Sequence, residues 1–194
     1  KGIKVSNGGF PTRMATLLCW DYYNSTGQSS KASSYALRAF PSSVSGNLQA
    51  YINSDVQAQQ QLAKGKILLN AYNTLQIDYI NFHWYEIVSQ REVNAQTVDL
   101  PNIKTTDMTA FEETVNFFKT STGKQPITNE IGQNNKKGGI VTDVLTKCYD
   151  LKLPYVIWYS GDGGLGKATA LYNGDASLRE NGTAFKNFIS TKYP

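Results

Sequence analysis

The chain has 194 residues, 40% hydrophobic and 18% charged, with 19 Lys and Arg against 15 Asp and Glu for a formal net charge of +4. This is an ordinary globular composition, long enough to bury one core, so a single domain over 1–194 is the expectation. The basic residues are scattered rather than gathered into a stripe, which argues against a nucleic-acid partner, and no apolar run approaches the ~18 residues of a membrane helix, so no membrane partner is expected.

In chain order, Ile3-Lys4-Val5-Ser6-Asn7 alternates apolar and polar residues before Gly8-Gly9, which predicts a short strand and a turn. Helical spacing covers 12–23 and 29–40, then one long helix over about 47–72 with Gly65 as its weakest point. A second strand, 77–85, is rich in β-branched and aromatic residues. Residues 86–106 read as a long loop, followed by a helix from a cap at Thr106 or Asp107 to about 120. A third strand is expected at 126–132, a helix at 138–149, a fourth strand at 153–160 and a last helix at 181–191. Strands separated by helices imply a parallel sheet of βα units, hence an α/β fold.

In that architecture the strand ends carry function. The residues there are Asn7, the run His83-Trp84-Tyr85-Glu86, then Asn129-Glu130, then Trp158-Tyr159-Ser160 and Asp162. Glu130 is out of place between Ile127 and Ile131, because a carboxylate in an apolar strand is costly unless something compensates its charge. The chain is 12% aromatic, a proportion that serves either a core or a surface on which sugar rings or bases stack. Cys19 and Cys148 match no ligand spacing and are expected as buried free thiols. His83 is the one histidine, so no metal is expected. The glycine-rich 161–166 lacks the GK[ST] ending of a phosphate loop, and no cofactor is expected.

Phe82-His83-Trp84-Tyr85, Ile127-Thr128-Asn129-Glu130-Ile131-Gly132 and Val156-Ile157-Trp158-Tyr159 stand in the order found on the last strands of clan A retaining glycoside hydrolases, which this chain resembles. The resemblance implies the second half of a (β/α)8 TIM-type barrel, strands five to eight, with an oligo- or polysaccharide as partner. It makes Glu130 the nucleophile and gives His83 and Tyr85 the task of binding sugar and orienting Glu130. Trp158 becomes the platform under the ring, with Asn7 and Glu86 as further substrate-binding residues. Residues 171–185 are similar to the closing segment of such barrels.

The clan's acid/base Glu belongs to the fourth strand, which would precede Lys1, and retaining hydrolysis needs two carboxyl groups about 5–5.5 Å apart. Glu130 as the acid/base, or Glu86 or Asp162 as the second carboxyl, stays open at this point. So does a carbohydrate-binding or degenerate half-barrel that does not cleave, and a half-barrel that pairs with another copy or with a missing N-terminal half through open strand edges. Residues 1–5 carry no export signal, so a leader is expected to have been removed or to lie upstream, in keeping with an extracellular or periplasmic location.

Overall fold

The computed structural model describes residues 2–85, 90–93, 96–99, 108–132, 137–160 and 170–194. Its helices are α1 (Thr12–Ser25), α2 (Ser29–Ala39), α3 (Ser42–Ser45), α4 (Leu48–Ser54), α5 (Val56–Thr74), α6 (Met108–Thr122), α7 (Gly138–Asp150) and α8 (Glu180–Lys192). The strands are β1 (Tyr79–Tyr85), β2 (Gln90–Val93), β3 (Gln96–Asp99), β4 (Gln125–Gly132) and β5 (Val156–Trp158). Among the described residues the result is a mixed α/β fold around a parallel sheet in the order β1-β4-β5, with β2 and β3 forming a separate antiparallel pair. That pair falls inside the stretch expected to be loop.

The long helix expected over 47–72 is two helices. Asn47 accepts from the Ala50 amide at 3.1 Å and Asp55 from the Ala58 amide at 2.8 Å, so each side chain satisfies an orphan donor and starts a new helix. Asp55 also meets Arg13 of α1 at 3.1 Å. Gly65 is no weak point. A β-carbon there would stand 3.0 Å from Met14 Cγ and 3.1 Å from Leu18 Cδ1, so glycine is what lets α5 cross α1 closely.

Residues 5–10 run parallel to β1 on its other side, but as two isolated bridges, Ser6 to Tyr79 and Phe10 to Phe82, rather than as the regular strand expected. Gly9, at φ 98°, lifts the chain between them. There the Asn7 side chain takes the ladder's place: its Oδ1 accepts from Asn81 N at 2.5 Å and its Nδ2 donates to Asn81 O at 2.9 Å. The strand expected at 153–160 shortens to β5, although Tyr155 O still accepts from Thr128 N at 3.1 Å and Tyr159 N donates to Ile131 O at 2.7 Å.

One face of the sheet is covered by helices. Ile80, Phe82, Trp84 and Ile131 are buried there among Phe10, Phe111 and Phe118, with Phe118 stacked 5.2 Å from both Phe10 and Phe82. Around this core the Tyr35 hydroxyl meets Thr114 Oγ1 at 2.7 Å, and Arg38 grips Glu113 with contacts of 2.7–3.2 Å, tying α2 to α6. Cys19 and Cys148 are free and buried, as expected, and burial pushes each thiol up to about 12. A smaller cluster of Val141, Leu145 and Phe188 seals α7 against α8. No helix among the described residues is long and apolar enough to cross a membrane.

Candidate functional site

Among the described residues the other face of the sheet is less covered. Alternation along β1 sends Ile80, Phe82 and Trp84 to the helices and leaves Tyr79, His83 and Tyr85 only partly covered. On β5, Val156 and Trp158 pack inward while Ile157 is 58% exposed, and the flanking Tyr155 and Tyr159 are exposed as well. Tyrosines pair across this face: Tyr79 with Tyr155 at 5.3 Å and Tyr85 with Tyr159 at 6.3 Å between ring centroids, both edge to face.

Glu130 joins them. Its Oε1 accepts from the Tyr85 hydroxyl at 2.5 Å, and its Oε2 lies 3.4 Å from His83 Nδ1. The first is a short charge-assisted hydrogen bond; the second is longer than an ordinary N–H···O bond. Glu130 keeps about a third of its side chain exposed, at 34%, so the carboxylate is fixed on one side and reachable on the other.

Backbone contacts set both partners. His83 N donates to Phe10 O at 2.8 Å, while the Thr12 hydroxyl donates to His83 O and accepts from Tyr85 N, both at 3.2 Å. Two glycines keep the space clear. A β-carbon on Gly9 would lie 2.7 Å from His83 Cδ2, and one on Gly132 would lie 3.0 Å from Tyr85 Cε1. In chemical terms the group is a held, accessible carboxylate beside aromatic edges, suited to nucleophilic attack or to binding a polyhydroxylated ligand.

Of the residues singled out in the sequence, Glu130, His83 and Tyr85 are brought together. Trp158 is not among them: its ring packs against Phe185 of α8 at 6.0 Å and against both apolar clusters. The aromatic that touches the Glu130 group is its neighbour Tyr159. Asn7 is buried, with its amide engaged by Asn81. Glu86 and Asp162 lie outside the described residues. Sequence reasoning named Tyr159 at a strand end without giving it a role, and missed Gly9 and Asn81. Strand alternation was the available signal for Tyr159, since adjacent strand residues point to opposite faces. No group of three or more His, Cys, Asp or Glu fit to hold a metal occurs among the described residues.

The sequence matches no family model and no curated protein. Among solved structures, the chain is similar to a GH128 (subgroup VII) oligosaccharide-binding protein from Trichoderma gamsii, at 17% identity and a TM-score of 0.44. The match covers 65% of this chain and 48% of that one, so this chain spans about half the length of the protein it matches.

Proposed function

We propose that the chain is the C-terminal half of a retaining glycosidase barrel, that its partner is an oligo- or polysaccharide, and that Glu130 is its nucleophile. The observation that carries this reading is the hydrogen bond of 2.5 Å from Tyr85 to Glu130, with His83 at the second oxygen and the carboxylate still partly exposed. The parallel succession of residues 5–10, β1, β4 and β5 supports the barrel reading, because it gives four neighbouring strand positions in the order of strands five to eight. Glu130 attacks the anomeric carbon as the bond to the leaving oxygen breaks, and the electron pair departs with that oxygen. Natural glycosides then need a second carboxyl about 5–5.5 Å away to protonate the leaving group.

A 2,4-dinitrophenyl 2-deoxy-2-fluoro-β-glycoside separates these parts, because dinitrophenolate leaves without being protonated. Incubated with such glucosides and xylosides, the purified chain gains one fluorosugar, located at Glu130 by peptide mass spectrometry, whereas Glu130→Gln gains none. Labelling elsewhere, or none at all, defeats the nucleophile. A second reading, a sugar-binding protein without cleavage, is favoured by the pairing of half-buried Tyr85 with exposed Tyr159. It predicts oligosaccharide binding by calorimetry that survives Glu130→Ala.

A further inference from the structure

Strand β4 carries one residue too many. Between the pairs Asn81 to Ile127 and His83 to Glu130, β1 advances two residues while β4 advances three. Against β5 the count is the same: Thr128 pairs with Val156 and Ile131 with Trp158, three residues against two. The extra residue is the exposed Asn129, and both neighbouring strands register it as a β-bulge. Its consequence is directional. In a regular strand Thr128 and Glu130, two apart, share a face. Thr128 pairs with Val156, which packs toward the helices, so an unbulged β4 would turn Glu130 under the sheet. The bulge resets the alternation, bringing Glu130 level with His83 and Gly132 level with Tyr85.

We infer that Asn81 is the positioning residue that holds this bulge and thereby aims Glu130. Asn81 is fully buried in the middle of β1, on the strand next to the bulge. Its Oδ1 accepts from the Asn129 amide at 3.0 Å, so a side chain receives the one donor that the extra residue takes out of the ladder. Asn81 is itself pinned. Asn7 clamps its backbone N–H and carbonyl, Asn81 Nδ2 donates to Asn7 O at 3.3 Å, and Phe10 N adds a bond to Asn81 O at 3.0 Å. A continuous polar chain thus crosses three strand positions, from Asn7 through Asn81 to Asn129, and ends one residue before Glu130. An amide suits the place because it offers donor and acceptor together without burying a charge.

The inference rests on Glu130 as the reactive carboxylate, but its test needs no substrate, since His83 is the one imidazole in the chain and touches Glu130. In the folded chain the Asn129 amide exchanges with solvent at least tenfold more slowly than an open loop amide. Asn81→Leu removes that protection and moves the His83 side-chain nitrogen signals to the position they take in Glu130→Ala. Asn81→Ser buries no charge and is too short to reach the Asn129 amide, so it should bring the same two changes, and it carries the test should Asn81→Leu fail to fold. A purely structural Asn81 would lower the melting temperature and leave the His83 signals of the folded chain unmoved. That result, or an Asn129 amide exchanging like a loop in the unaltered protein, overturns the inference. If the fluorosugar fails to label Glu130 while the Asn129 and His83 signals behave as described, the chemistry falls and the positioning stands.

Discussion

The two faces of the parallel sheet are built from alternate residues of the same strands, yet they follow opposite rules. Toward the helices, Phe82, Trp84 and Ile131 are buried in an aromatic core that α6 closes with Phe111 and Phe118. Toward the less covered side, Tyr79, His83, Tyr85, Tyr155 and Tyr159 keep part of their surface, and the carboxylate of Glu130 is held by hydrogen bonding. Burial of apolar area dominates the first face; directional polar contacts dominate the second. A face that holds stability and a face that holds a site should therefore respond differently to truncation.

The largest effect belongs to the covered face. Phe118 is fully buried and stacked between Phe10 and Phe82, so Phe118→Ala removes a whole ring from a place that helices and strands cannot collapse to fill. A loss of about 3–5 kcal/mol is expected, read as a drop in urea midpoint at unchanged slope. A loss below about 1 kcal/mol would mean that the covered face is not the stabilising one.

Gly9→Ala tests where the faces meet the first bridged segment. The residue sits at φ 98°, and its new β-carbon would press on the His83 ring. Strain of this kind costs about 1–3 kcal/mol. Unlike Phe118→Ala, it should also shift the His83 side-chain signals in the folded protein. If stability falls and those signals stay put, Gly9 serves the turn alone.

How much of this was legible in the sequence differs between residues for physical reasons. Glu130 stood out because a carboxylate between isoleucines has no reason to be there unless something holds it. The helix at Met108–Thr122 was visible because Phe111, Val115 and Phe118 recur at helical spacing, which needs no knowledge of partners. The break at Asp55 was hidden by ranking Gly65 as the weak point: intrinsic propensity counted against the glycine, while packing against Met14 and Leu18 required it. The bulge at Asn129 cannot be read from one strand, since it exists only as a count against neighbours distant in sequence. Asn81, for the same reason, read as one more polar residue in a strand.

The adjacent pair Trp158 and Tyr159 gives the finest contrast between the faces. Trp158 touches Phe185 and both apolar clusters, so Trp158→Ala should cost about 2 kcal/mol in stability through lost burial. Tyr159 is 43% exposed and meets Tyr85 edge to face, so Tyr159→Ala should change stability by no more than about 0.5 kcal/mol. On the proposed function its effect falls on ligand instead: with Tyr85 losing its aromatic neighbour and this face losing a stacking edge, affinity for a xylo- or gluco-oligosaccharide should drop about tenfold by calorimetry, equivalent to about 1.4 kcal/mol. The reverse pattern, with sugar binding lost in Trp158→Ala at unchanged stability and kept in Tyr159→Ala, would put the sugar platform on Trp158 and require β5 to turn its other edge toward Glu130.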